Sequence, residues 1–398
     1  MKRLLVIHTA YPGDLLLATP LLEALKTAGA EIHLSLLTVP GNTVLFENNP
    51  FLDEIIVYDK KAVDRGVVAF LRLARDIRRR KFDAALIPHP SVRSALLALC
   101  GGIKRRTGFA HRWCSFLYTE PIPVADAGHE VERNLALARP YVALDGAPGP
   151  KVFPSGKDKA RALAFLVRIG PDSPFVAVAP GSTWKTKAWP EEKYAELLRS
   201  LRKEYPVVLV GGAADRDLCE RLASSTGFLD SRACPRPRSG VRGSDGLAPV
   251  AAGDGAGHPV ASAAGELTLL ESAALLSRAL FLISGDSAPV HLASAVGTPV
   301  VVIYGPTVKE FGFFPYGVAS RIVERPGLAC RPCSAHGPME CPLGHFRCMR
   351  EIGVEEALSA ASDLMRDARA AASGKAFTGE GAAEAERMER GERGNGKT

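Results

Sequence analysis

No apolar run in this chain approaches the ~20 residues that a membrane-spanning helix requires. Met1-Lys2-Arg3 followed by Leu4 to Ile7 superficially matches a secretory leader, but His8 interrupts the run and no small-residue cleavage site follows. The chain therefore reads as cytoplasmic and soluble, with its 8 cysteines as thiols or metal ligands rather than disulfides. The Gly-Lys-Ser/Thr spacing of a P-loop is missing, which excludes that way of holding a nucleotide. No nucleic-acid-binding signature is present either.

What is present is enough for two cores. The 398 residues suggest two domains, and 46% apolar with 23% charged residues is ordinary globular composition. The net charge of +7 favours anionic partners without choosing among nucleic acid, phosphorylated lipid and phosphosugar. Its clusters are Arg78-Arg-Arg-Lys81, Lys104-Arg-Arg106 and His111-Arg112. Such runs are usually solvated helix faces, and a phosphorylated membrane glycolipid would use the same charge.

Strand-like and helix-like pieces alternate from Arg3 to Cys100, which predicts a parallel sheet covered on both faces. A Pro/Gly-rich break, Asp145 to Pro150, precedes a second such series. The expected architecture is α/β, with residues 1–150 and 151–355 as two Rossmann-like domains. Two stretches cannot bury enough apolar surface to offset the entropy of ordering: an insert at 231–265, and the tail beyond about residue 370 of a C-terminal piece at 356–398. Both are expected to be mobile.

Four motifs can carry chemistry. Thr9-Ala-Tyr-Pro-Gly13-Asp14 follows the first strand, where doubly wound sheets bind ligands. Asp14 reads there either as a general base or as a cap for the helix starting at Leu15. In Pro180-Gly-Ser182-Thr183-Trp-Lys185-Thr-Lys187, glycine permits close backbone approach, hydroxyls can donate to phosphate, and lysine can neutralise it. Asp286-Ser287-Ala288 lies at a strand end and helix start, suited to a cap or an anionic ligand, with His291 one turn further on. Cys330-x2-Cys333-x7-Cys341-x6-Cys348 suits zinc, packing or free thiols.

Taken in order, these motifs resemble the bacterial lipopolysaccharide heptosyltransferases, inverting glycosyltransferases of family 9 with the GT-B fold. The resemblance rests on Thr9-x3-Gly13-Asp14 with Leu-Leu-x-Ala-Thr-Pro-Leu-Leu, on Pro180-Gly-Ser with Thr186-Lys187-Ala-Trp189-Pro190, and on Gly285-Asp286-Ser-Ala-Pro-Val-His291 with Tyr304-Gly-Pro-Thr307. The Cys-x2-Cys and Gly344-His345-x2-Cys348-Met349 tail is similar to that of the branch adding the second heptose.

The resemblance implies two doubly wound domains facing across a cleft. It implies transfer of a heptose from ADP-L-glycero-D-manno-heptose to the lipopolysaccharide inner core, by metal-independent chemistry. The acceptor would be an anionic lipid A–Kdo-type glycolipid, reached at the cytoplasmic face of the inner membrane by peripheral contact. Nucleic acid drops out as a partner. Asp14 becomes the base and Lys187 the group that meets the leaving diphosphate. Gly13, Ser182, Thr183, Asp286, Ser287, Ala288 and His291 line the substrates, and Asp215 takes the donor ribose. No cofactor is implied; a structural zinc at the four cysteines remains one reading of their spacing. Ala188 and Ala288 depart from the pattern, where many relatives carry arginine and glycine. Another sugar donor or acceptor within the family is the alternative, and a GT-B nucleotide-sugar epimerase is a further one.

Overall fold

The computed structural model describes residues 2–27, 31–60, 62, 65–110, 113–124, 128–144, 146–226, 257–368 and 370. His111 and Arg112, residues 231–256 of the expected insert and residues 371–398 of the tail lie outside them.

Two six-stranded parallel sheets organise the chain. The first contains β1 (Lys2–Ile7), β2 (Ile32–Thr38), β3 (Glu54–Val57), β4 (Ala84–Ile87), β5 (Arg105–Phe109) and β6 (Glu120–Ile122). Its strand order is β3-β2-β1-β4-β5-β6. The second contains β7 (Val176–Ala179), β8 (Val207–Leu209), β9 (Val260–Ser262), β10 (Leu282–Gly285), β11 (Val300–Tyr304) and β12 (Ser320–Glu324). Its order, β12-β11-β10-β7-β8-β9, is the same topology entered from the other edge. Strand order therefore reverses beside β1 and β4 in one sheet, and beside β7 and β10 in the other. Those are the crevices where doubly wound sheets take ligands.

Sequence explains the central strands directly. Leu4, Leu5, Val6 and Ile7 are all buried, as are all residues of β7 and β11. Helices cover both faces of a parallel sheet, so its strands read as continuous apolar runs rather than alternating ones.

Three local expectations change. A single helix was expected from Leu15, but there are two, Pro12–Leu16 and Thr19–Thr27. Pro20 lacks an N–H and disfavours a helical residue before it, and the Thr19 hydroxyl donates to the Leu16 carbonyl at 2.7 Å, closing off the first helix. The first helix is entered at Tyr11, so Asp14 lies inside it and is not the N-cap residue. Finally, the end of the expected insert is ordered: Val260 and Ala261 are buried in β9, paired with Val207 and Val208 of β8. Their small neighbours hid a strand that contributes backbone pairing more than side-chain bulk.

A helix spans 354–368 after the second sheet, burying Val354, Ala357, Ala361 and Leu364. Among the described residues, no helix is long and apolar enough to cross a membrane.

Candidate active site

The loops after β1, β7, β10 and β11 converge on one cleft between the two sheets. A cavity of about 240 Å³ there is lined by Gly13 and Asp14 from the first domain, and by Lys187, Asp286, Ser287 and His291 from the second. A larger space of about 970 Å³ adjoins it through Pro12, Ser182, Thr183, Ser287 and Ala288, and reaches Asp215. All ten residues picked from the sequence for catalysis and substrate binding thus border these two connected spaces.

Contact between the domains is tight at Gly13. A Cβ there would lie 3.2 Å from the His291 ring and 3.6 Å from the Ala288 Cα. A side chain here would require the His291 ring to give by a few tenths of an ångström, so glycine eases the close approach of the Asp14 turn to the helix Ala288–Ala295. Asp14 is largely buried, and burial pushes its carboxyl above the usual range. His336, Lys187 and the Tyr11 backbone N–H pull the other way, while Asp286 adds to the rise.

Lys187 is held rather than free. Its Nζ lies 2.6 Å from Asp286 Oδ2, which also accepts from the Thr307 hydroxyl at 2.7 Å. The Lys187 and Asp286 side chains are only 11% and 7% exposed. Gly285 makes this possible, since a Cβ there would meet the Lys187 carbonyl at 2.9 Å. Asp286 is therefore turned onto the lysine. The neighbouring helix starts at Ser287 with no side-chain cap, so its first N–H groups have no side-chain acceptor. Burial lowers His291 to about 4, which keeps the ring neutral, and its Nδ1 is buried with no hydrogen-bond partner.

Asp215 is wedged between two glycines. A Cβ on Gly181 would fall 2.1 Å from its Oδ1, and one on Gly211 2.8 Å from its Cβ. Its Oδ2 accepts the Gly212 N–H at 2.8 Å. Trp189 takes no part: it is buried, stands edge-on to Tyr194 at 5.2 Å, and donates to the Ile352 carbonyl.

Sequence reasoning missed the contribution of the cysteine loop. His336 lines the smaller cavity and stacks on Trp184, with centroids 6.4 Å apart and planes at 14°. The loop is tied down at both sides of Lys187. The Thr186 hydroxyl donates to the Pro338 carbonyl, and Cys333 N–H donates to the Pro306 carbonyl at 2.9 Å. Its distance in sequence from the other site residues conceals His336. The thiols make local contacts: Cys330 Sγ lies 3.9 Å from His345 Nε2, and Cys341 Sγ accepts the Phe346 N–H at 3.4 Å. Among the described residues, no group of three or more His, Cys, Asp or Glu side chains is placed to hold a metal.

A second missed feature is the strut between domains beside the site. Glu130 N–H donates to the Gly312 carbonyl at 2.9 Å and Arg133 Nη2 to the Phe311 carbonyl at 2.8 Å. Burial lifts the Glu130 carboxyl to about 7 despite its 2.9 Å pairing with Arg133.

Residues 70–236 and 252–343 match the model of glycosyltransferase family 9 (heptosyltransferase). The chain belongs to that family. It is a glycosyltransferase, and the fold agrees with the resemblance read from its motifs. It is 25% identical over 311 residues to lipopolysaccharide heptosyltransferase 3 of Escherichia coli, covering 76% of this chain and 83% of that protein. Lipopolysaccharide heptosyltransferase 2 of Salmonella typhimurium is 23% identical over 319 residues, covering 78% and 84%. The fold matches the Escherichia coli ADP-heptose lipopolysaccharide heptosyltransferase II with a TM-score of 0.70 at 21% identity, over 93% of this chain and 100% of that one. A family 9 glycosyltransferase from Veillonella parvula matches at 0.75 and 22%, over 92% and 98%.

Proposed function

We propose that this family 9 enzyme transfers a heptose from ADP-L-glycero-D-manno-heptose to the inner core of lipopolysaccharide, inverting the anomeric carbon. The observation that carries this is the apposition of Asp14, across the cleft, with Lys187 held by Asp286 and Thr307. A raised, buried carboxylate suits a base, and a fixed cation beside a helix start suits a leaving diphosphate.

In the reaction, Asp14 takes the proton of the acceptor hydroxyl. The freed oxygen pair attacks the anomeric carbon from the face opposite ADP. The bond from that carbon to the diphosphate oxygen breaks, and its electron pair leaves with ADP. Lys187, the hydroxyls of Ser182 and Thr183, and the N–H groups at Ser287 and Ala288 meet that charge. Asp286 positions Lys187, Asp215 takes the ribose, and neutral His291 walls the sugar side against Gly13. The acceptor is an anionic glycolipid of the lipid A–Kdo type, met at the cytoplasmic face of the inner membrane.

Relatives named heptosyltransferase 2 and 3 match at near-equal identity. The Cys-x2-Cys and Gly344-His345-x2-Cys348-Met349 tail supports the second heptose as the one added. A zinc at the four cysteines would be structural, and metal analysis of the purified chain tests it. The epimerase reading needs a set of carboxylates for eliminating and re-adding the nucleotide. Of the residues lining the smaller cavity only Asp14 and Asp286 are acidic, and Asp286 is committed to Lys187.

The test supplies ADP-heptose and a heptose-deficient glycolipid, and follows ADP release and acceptor mass. Transfer from another sugar nucleotide, with none from ADP-heptose, would sink the donor assignment.

A further inference from the structure

The outward face of the helix Val67–Arg80 carries side chains that its packing does not use. Ala69, Ala74 and Ile77 face the core. Val67, Val68 and Leu71 point away, at 73%, 74% and 51% exposure. A solvated helix face is ordinarily polar, so three large aliphatics at its start need a reason. Along the same stripe follow Arg72, Arg75, Arg78 and Arg79, all exposed. Acidic groups nearby are already engaged: Asp76 and Glu54 both pair with Arg80.

Two neighbours extend the surface. The helix Val92–Cys100 packs beside the first and exposes Leu96 and Leu99, while the turn Ser115–Leu117 packs on it and exposes Phe116 at 77%. One face of the first domain thus combines exposed aliphatic and aromatic groups with a row of arginines. The helices run back along the sheet, so their first residues lie at the strands' carboxyl ends. The loop joining β3 to Val67 carries Lys60, and the loop joining β4 to Val92 carries His89. Both residues line a cavity of about 550 Å³ with Thr9, Tyr11 and Pro12, next to the Asp14 turn.

We infer that this face docks on an anionic bilayer, with Val67, Val68, Leu71 and Phe116 entering the headgroup layer and Arg72, Arg75, Arg78 and Arg79 meeting lipid phosphates. Apolar burial supplies attachment, and the arginines supply selectivity for negative lipid, at roughly fivefold in affinity for each charge. A glycolipid held in that bilayer would present its sugar to the mouth beside Lys60 and His89. This last point rests on the proposed acceptor; the docking surface does not.

Flotation of the full chain with vesicles tests it, using phosphatidylcholine alone or mixed with phosphatidylglycerol, at low and high salt. Binding should require phosphatidylglycerol and weaken with salt. Arg72→Glu/Arg75→Glu/Arg79→Glu should lose at least about a hundredfold in affinity. Val67→Ser/Val68→Ser/Leu71→Ser should lose about tenfold or more while keeping the lipid preference. Both variants should unfold at the wild-type temperature and turn over a soluble, delipidated acceptor normally. Absence of flotation, or flotation unchanged by charge reversal, would overturn the inference. So would substitutions that instead abolish a self-associated form or RNA binding without touching vesicle binding. If transfer from ADP-heptose fails while flotation behaves as described, the donor assignment falls and the docking surface stands.

Discussion

Lys187 and Asp286, 99 residues apart in sequence, form a 2.6 Å ion pair that Thr307 completes from a third loop. The pair is buried in the loops that follow β7 and β10, where neither charge is well solvated without the other. Lys187→Ala should lower kcat by roughly 10²–10³, the cost of removing one positioned group that meets transition-state charge. Asp286→Asn should also lower turnover. Its thermal unfolding should show a loss of about 3 kcal/mol or more, because a buried lysine is left without its partner. A double substitution less unstable than Asp286→Asn alone would show the coupling. Equal, additive losses would show that the pair is incidental.

Asp14 trades stability for chemistry. Its carboxyl is raised by burial, so the folded state binds that proton more tightly than the unfolded chain does. Its contribution to stability is full below the ordinary aspartate value and is lost as pH rises through the raised value. At neutral pH the ionised group is a buried charge held at a cost. Asp14→Asn should therefore raise the unfolding temperature, retain ADP binding and reduce kcat by about 10²–10⁴. In the wild type, kcat/KM should fall on acidification through a limb above the ordinary aspartate range.

His291 gives the opposite sign. Burial lowers it to about 4 from an ordinary 6.5, so the unfolded chain binds the proton first. The stability it confers is full above pH 6.5 and disappears as pH falls toward about 4. His8, lowered to about 3 for the same reason, adds to this limb. Unfolding followed between pH 7 and about 4 should show a shallower acid dependence in His291→Gln than in the wild type.

Gly181→Ala should weaken ADP binding with little change in fold. The added methyl would fall within 2.1 Å of Asp215 Oδ1, and the carboxylate would have to leave the wall of the larger cavity. Calorimetric titration with ADP should show about a tenfold loss, in line with one misplaced polar contact. Wild-type affinity in this variant would remove Asp215 from the ribose role.

His336→Ala should reduce turnover several-fold while leaving unfolding unchanged, since the ring lines the pocket and stacks on Trp184 without being part of the core. Steady-state kinetics and a melting curve on the same sample decide it.

The amino-acid sequence by itself determined the central strands and the local chemistry. Val176 to Ala179 and Val300 to Tyr304 are apolar on every residue because both faces of a parallel sheet are covered. Asp14, Lys187 and Asp286 were legible because each stands at a strand end followed by a helix start, a pattern set within a dozen residues. Tertiary structure alone decided what those residues face. It turned Asp286 onto Lys187 rather than outward, brought Gly13 against His291, and set His336 over the pocket from a loop more than 300 residues from Asp14. It also showed Val260 and Ala261 as a strand within a stretch too poor in large side chains to announce one. The physical reason is one of range. Periodicity and capping act over a few residues, whereas burial, ion pairing and close approach depend on which distant loops the two sheets bring to the same cleft.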